Sequence, residues 1–218
     1  MLLGIFGGSF DPVHNGHLAL ARACHEQAAL DEVWFTPTAI QPLKQNGPHA
    51  TDAQRIDMLN LAIENLLSEP ATRHPAKPAA GCPPRPRSSW QVCTLEIGRG
   101  GLSYTVDTLR QIRIELPDAR LFFLVGADAL RDVPRWREPE EIFRLATPLV
   151  VRRAGQSDPD LTVLARLCVD DNKPRLIEMP ALDISSSEIR RRLAHGEPID
   201  HLVPAEVAQY IAAHGIYA

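Results

Sequence analysis

The sequence predicts an α/β protein: a doubly wound parallel sheet with helices on both faces and a short helical C-terminal part. Three stretches carry that prediction. Leu2–Phe6 is a short apolar run, followed by a glycine-bearing turn and a helix-periodic segment over Leu18–Ala29. Glu32–Thr36 then reads as a second strand, which makes a βαβ unit with a right-handed crossover and a parallel strand pair. Leu121–Val125 (LFFLV) is continuously apolar, as a central parallel strand covered on both faces must be.

The totals fit this class. A chain of 218 residues is expected to form one domain over 1–218 and buries a sizeable core. Its 44% hydrophobic and 23% charged content is ordinary for a globular protein. The net charge of −4 argues against general nucleic-acid binding, which needs an electropositive face, yet leaves room for a small phosphorylated ligand. No apolar run approaches the ~20 residues that span a bilayer. Met1–Phe6 is too short for a signal peptide, so a cytoplasmic location is expected. Cys24, Cys82, Cys93 and Cys168 form no Cys-x-x-Cys pair and read as free thiols.

In chain order, Pro37–Thr51 has no period and is a loop past the carboxyl end of a strand, where open α/β sheets bind ligands. Its only cation, Lys44, either reaches an anionic ligand or is solvated. Thr51 or Asp52 caps a helix whose inward face is Ile56, Leu59, Ile63 and Leu66. Pro70–Arg87 then holds six of the 19 prolines and no large apolar residue, and with its flanks (70–90) reads as a mobile surface insertion. Trp90–Ile97 alternates like a strand, and a turn over Gly98–Leu102 leads to a helix with Val106, Leu109 and Ile112 inward and Ser103 as N-cap. Pro148–Val151 and Leu176–Met179 are the last strands, with a helix near Asp158–Leu167 between them. The final helix starts at Pro204 and stops at Gly215.

Gly7–His17 (GGSFDPVHNGH) is the stretch that promises chemistry. Gly7 and Gly8 let the main chain approach a ligand, and a strand–turn–helix joint aims backbone N–H groups at an anion. His14 and His17, three apart at a helix start, lie on one side of it and suit phosphate better than zinc, since no further metal ligands stand nearby. Asp128, directly after the central strand, suits a ribose hydroxyl or a base amino group, or caps the following helix. Trp136, after Pro134-Arg135, stacks on a base or fills the core. Ile184-Ser185-Ser186-Ser187-Glu188-Ile189-Arg190 describes a second anion site, or a serine-capped helix with a cationic face.

GGSFDPVHNGH resembles the signature of the His-x-Gly-His nucleotidyltransferase superfamily, and in its longer form that of the bacterial nicotinate-nucleotide adenylyltransferases. SYTVDTL after Leu102, GADAL…VPRWREPEEI and ISSSEIR are similar to further strings of that family, so the resemblance runs from Leu3 to Tyr217 apart from the insertion. It implies a Rossmann-like fold and transfer of AMP from ATP to nicotinate mononucleotide (NaMN), giving deamido-NAD and pyrophosphate in NAD biosynthesis. The alternatives are another phosphorylated acceptor, nicotinamide mononucleotide (NMN) or phosphopantetheine, or a non-catalytic nucleotide-binding domain.

The resemblance assigns ATP to Gly7, Gly8, Ser9, Phe10 and His17 near the N-terminus, to Asp128, and to Ile184, Ser185, Ser186, Ser187 and Arg190. It assigns NaMN to Lys44, Tyr104, Thr105 and Trp136, with the Tyr104–Thr105 pair on the nicotinate carboxylate and Trp136 on the pyridine ring. Catalysis falls to His14, His17, Lys44 and Arg190 as neutralising groups, with Mg²⁺ carried by ATP and no metal ligand from the protein. Arg191 and Arg192 are read as solvated. The chain departs from the family at Pro42-Leu43-Lys44, where histidine is usual at the middle position, and at Arg137, where tyrosine is common. A homo-oligomer is compatible with this reading.

Overall fold

The computed structural model describes residues 1–43, 47–68, 89–169 and 172–217. Six strands form one all-parallel sheet: β1 (Leu2–Gly8), β2 (Glu32–Pro37), β3 (Ser89–Val92), β4 (Arg120–Gly126), β5 (Ala146–Arg153) and β6 (Arg175–Met179). Their order across the sheet is β3-β2-β1-β4-β5-β6, so the winding reverses between β1 and β4. In such sheets that reversal opens a crevice at the carboxyl ends of the two central strands. Gly8 and Gly126 stand at those ends.

Helices α1 (Asn15–Ala28), α2 (Asp52–Ser68), α7 (Ser186–Ala194) and α8 (Ala205–His214) contribute to the core on one face of the sheet. Helices α4 (Thr105–Glu115), α5 (Pro139–Leu145) and α6 (Thr162–Leu167) contribute to the other. The LFFLV run serves both: Phe122 and Leu124 join the first core, and Leu121, Phe123 and Val125 the second. Alternate side chains of a strand point to opposite faces, so a strand covered twice is apolar at every position. Tyr210 of α8 donates to Asp57 of α2 at 2.7 Å, which ties the C-terminal part to the sheet's first half. Cys24 and Cys93 are buried free thiols, and Cys168 is a half-buried one.

Several boundaries differ from expectation. The Trp90–Ile97 strand ends at Val92: among the described residues β3 pairs only with β2, and the ladder ends where Cys93 N–H reaches Phe35 O at 2.8 Å. Leu95–Arg99 is instead a short helix, α3. Helix α5 has no counterpart in the sequence reading, and α6 begins only at Thr162. The proposed insertion at 70–87 and Lys44 lie outside the described residues. Among the described residues, no helix is long and apolar enough to cross a membrane.

Candidate active site

The helix after β1 begins inside the Gly7–His17 stretch, three residues before the apolar period becomes visible, because His14 is its N-cap. His14 Nδ1 accepts from His17 N–H and His17 Nδ1 accepts from His14 N–H, each at 3.3 Å, a capping box built from two imidazoles. With both Nδ1 atoms accepting, the hydrogen bonds assign the proton of each neutral ring to Nε2. The rings stack at 3.6 Å between centroids and 20° between planes. Burial pushes the His14 pKa down to about 4, and the charge of Arg153 pushes the same way. Near neutral pH His14 is therefore a neutral N–H donor. Gly16 leaves room for this pair: a Cβ there would stand 3.1 Å from His14 Nδ1, close enough that the ring would have to shift by a few tenths of an ångström.

The turn ahead of the histidines is strained and held from three sides. Phe10 sits at φ 46° with its ring 0% exposed, packed edge-on to His17 at 5.0 Å and to Phe6 at 5.3 Å. A non-glycine residue in that region costs roughly 1–3 kcal/mol, and burying a phenylalanine returns about as much. Arg55, on the Met58–Leu59–Ala62 stripe of α2 and 0% exposed, donates to Ser9 O at 2.8 Å and to Asp52 Oδ1 at 2.6 Å. Asp11 accepts from His49 N–H (2.8 Å), Ala50 N–H (3.0 Å) and Tyr217 Oη–H (2.7 Å). Burial raises the Asp11 pKa, but those hydrogen bonds and the charge of Arg190 outweigh it and hold the carboxyl below its ordinary range.

The serine-rich element docks on this turn. Ser185 caps α7 by accepting from Glu188 N–H at 3.2 Å, Ser186 Oγ–H donates to Pro12 O at 2.9 Å, and Ser187 Oγ accepts from Arg190 at 3.3 Å. Arg190 also donates to Asp11 O at 2.6 Å. The N-termini of α1 and α7, each the positive end of a helix dipole, thus meet beside His14 and His17. Arg153 joins them, paired with Asp183 at 3.5 Å. Arg191 and Arg192 pair with Glu188, and Arg191 also with Glu197, on the outer face of α7.

A pocket of about 210 Å³ opens beside this anion site, against the roughly 10–15 Å³ that one water occupies. Gly7 and Gly8 form its edge next to the histidine turn, and Tyr104, Thr105 and Trp136 form its far wall. Phe123 edge-on at 5.8 Å and Phe143 at 6.3 Å hold the Trp136 ring. Arg137 stacks over Tyr104 at 4.8 Å and reaches Asp107 at 3.4 Å. Ser103 does not cap α4: its Oγ accepts from Ala39 N–H at 2.9 Å, Tyr104 is the N-cap, and the loop after β2 is thereby fastened to the pocket. Asp128 lies exposed in the first turn of a 3-10 helix (Ala127–Arg135), and Gly126 is that helix's N-cap.

The cytidylyltransferase-like family model matches residues 5–192. The nicotinate-nucleotide adenylyltransferase of Bacillus subtilis is 35% identical over 216 residues, covering 99% of this chain and 97% of its own. A probable nicotinate-nucleotide adenylyltransferase of Dehalococcoides mccartyi is 38% identical, covering 98% and 96%. The chain belongs to the nicotinate-nucleotide adenylyltransferase family. Its fold is also that of Plasmodium falciparum nicotinic acid mononucleotide adenylyltransferase, solved in complex with NaAD, with a TM-score of 0.74 at 22% identity over 99% and 96% of the two chains.

In this member of the family the structure gathers Gly7, Gly8, His14, His17 and the Ile184–Arg190 element at one edge of the sheet, and Tyr104, Thr105 and Trp136 at the adjoining pocket. Phe10 has its side chain wholly inside, so only its main chain faces the turn. Asp11, Arg55, Tyr217, Arg153 and Glu96 were not among the residues the sequence singled out. Arg55 had a signal, a charge on an apolar helical stripe, and Asp11 had one in its Asp-Pro turn. Tyr217 had none, because its partner is 206 residues away.

Proposed function

We propose that this chain catalyses the reaction its family is named for: adenylyl transfer from Mg·ATP to NaMN. A 5′-phosphate oxygen of NaMN bonds to the α-phosphorus of ATP, the bond from that phosphorus to the bridging oxygen breaks, and pyrophosphate leaves with the electron pair. A phosphate monoester has a second pKa of roughly 6, so the nucleophile is already anionic and needs no general base. What remains is alignment of two polyanions and stabilisation of the charge that builds between them.

The observation that carries this reading is the adjacency of an anion site and an aromatic pocket across Gly7–Gly8. ATP phosphates fit the first, where the Nε2–H groups of His14 and His17, the α7 N-terminus and Arg190 converge. NaMN fits the second, with its ring against Trp136 and its carboxylate at the Tyr104–Thr105 entry to α4. Lys44 is assigned to the anionic junction of the two substrates by resemblance alone, and Asp128 to the adenosine end. Mg²⁺ arrives as part of the substrate Mg·ATP. Among the described residues no group of three or more His, Cys, Asp or Glu stands together to hold a metal.

A carboxylate gains up to ~2 kcal/mol from a helix N-terminus, whereas an amide brings its own donors to donors and leaves buried groups unpaired at roughly 1–3 kcal/mol. We expect the acid to be preferred over the amide by about 10² or more in kcat/KM. Pyrophosphate release from Mg·ATP, measured with NaMN, NMN and phosphopantetheine, tests the assignment. Equal kcat/KM for the two pyridine nucleotides, or turnover of phosphopantetheine alone, would overturn it. ATP binding without pyrophosphate release would point to the non-catalytic alternative.

A further inference from the structure

Glu96 sits on α3, 5% exposed, and lines the same pocket as Ser103, Tyr104 and Thr105. Its Oε1 accepts from Thr108 Oγ–H at 2.7 Å, and Thr108 lies one turn into α4 from Tyr104, whose carbonyl its hydroxyl also approaches at 3.5 Å. Its Oε2 is inaccessible to solvent and has no hydrogen-bond partner. An acid therefore lies beneath the place where the functional reading puts the substrate's own carboxylate. An ionised carboxyl has only acceptors, and burying one unpaired is costly. Arg99, on the same helix, spends its Nη2 on Thr108 Oγ (3.1 Å) and Gln111 (3.4 Å).

We propose that Glu96 is a specificity-determining residue: carrying a proton, it leaves the pocket floor uncharged so that the nicotinate carboxylate can settle, and once ionised it repels that carboxylate but not the neutral amide. The proposal rests on the functional reading above, because it needs the ring substituent at the entry to α4. The charged and titratable groups around it are few. Arg99 stands on its own helix and Cys93 just before it. Asp107 of α4 is turned to Arg137 and Arg110, while Arg135 and Arg137 also line the pocket, Arg137 over the Tyr104 ring. Burial pushes the Glu96 carboxyl above its ordinary range and outweighs the Thr108 hydrogen bond, the nearby Ser103 hydroxyl and the charge of Arg99, which all favour the ionised form.

The sign follows from the proton. At low pH Glu96 is neutral and the preference for acid is full. As pH rises through its ionisation, the acid-to-amide ratio of kcat/KM falls, by up to about tenfold per pH unit. The ratio is the informative quantity because the 5′-phosphate and ATP titrate identically with both mononucleotides and cancel.

The test is kcat/KM for NaMN and NMN at saturating Mg·ATP from pH 5.5 to 9, with the intact protein and with Glu96→Gln. The expected result is a ratio that falls with pH in the parent and stays flat, with the acid still preferred at pH 9, in the Gln variant. A flat ratio in the parent, or the same drift in both proteins, would overturn the proposal. Should Glu96→Gln fail to fold, calorimetry of the parent in buffers of differing ionisation enthalpy decides. At the alkaline end NaMN binding should take up protons that NMN binding does not, and equal uptake would sink the idea. No turnover of either mononucleotide would count against the functional reading itself, whereas brisk turnover with a flat ratio would count against Glu96 alone.

Discussion

Arg190 Nη1 donates to the main-chain carbonyl of Asp11 at 2.6 Å, and the same guanidinium lies 3.8 Å from the Asp11 carboxylate. This contact spans 179 residues and brings the N-terminus of α7 to the histidine turn. Arg190→Ala should lower kcat by at least ~10², the scale of losing one preorganised donor. Arg190→Lys should recover only part, since an ammonium cannot reproduce the planar fork that reaches both Asp11 and Ser187. Steady-state pyrophosphate release on variants shown folded by thermal melting is the check. Near-normal turnover by Arg190→Ala would remove it from the anion site.

His17→Ala should likewise cost at least ~10² in kcat. It also removes one half of the capping box, so helix α1 should weaken by about 1 kcal/mol. Circular dichroism separates the two effects, and a folded variant with ordinary kcat would contradict the assigned role.

The depressed pKa of His14, about 4, makes a pH prediction. The kcat/KM profile should show no limb from His14 between pH 6 and 8. The sign for stability is that of a depressed group. His14's contribution is full above its unfolded value near 6.5 and is lost as pH falls from there toward 4, because the unfolded chain takes up the proton first. Urea midpoints across pH 4 to 7 measure it. An NMR titration placing His14 at 6.5 would disprove the burial argument.

Asp11→Asn should destabilise the protein by about 2 kcal/mol at pH 7, the scale of hydrogen bonds to a charged group. The Asp11 pKa is lowered from 3.8, so its contribution is present above 3.8 and lost as pH falls through the depressed value. The gap between parent and variant should close in acid. A gap that is unchanged at pH 3 would show that charge is not what Asp11 supplies.

Gly16→Ala separates site geometry from stability. Alanine in the first turn of α1 gains up to about 1 kcal/mol in helix propensity. Its Cβ at 3.1 Å from Nδ1 must displace His14, whose ring is buried and has little room to move. The expected variant melts close to the parent and turns over about tenfold more slowly, as a displaced donor predicts. Unchanged kcat would mean that the imidazole pair yields without cost.

Much of this protein is legible in one dimension because the signals are local. Gly7-Gly8 at a strand end, LFFLV as a strand covered twice, and Ser185 at a helix start each state their role through neighbours a few residues away. The same locality misleads at Trp90–Ile97. Alternation there reads as one strand, but the edge of the sheet decides that pairing stops at Val92 and that Glu96 comes on a helix into the pocket. It also hides where Arg55 reaches beyond its helix neighbour Asp52, to the Ser9 carbonyl, and it hides Tyr217, whose hydroxyl closes on Asp11. Local periodicity and capping are properties of a few consecutive residues, and a sequence displays them directly. Which buried acid meets which distant donor, and whether a histidine is neutral or charged, depends on burial and on contacts between residues far apart in the chain, and only the packed sheet settles those.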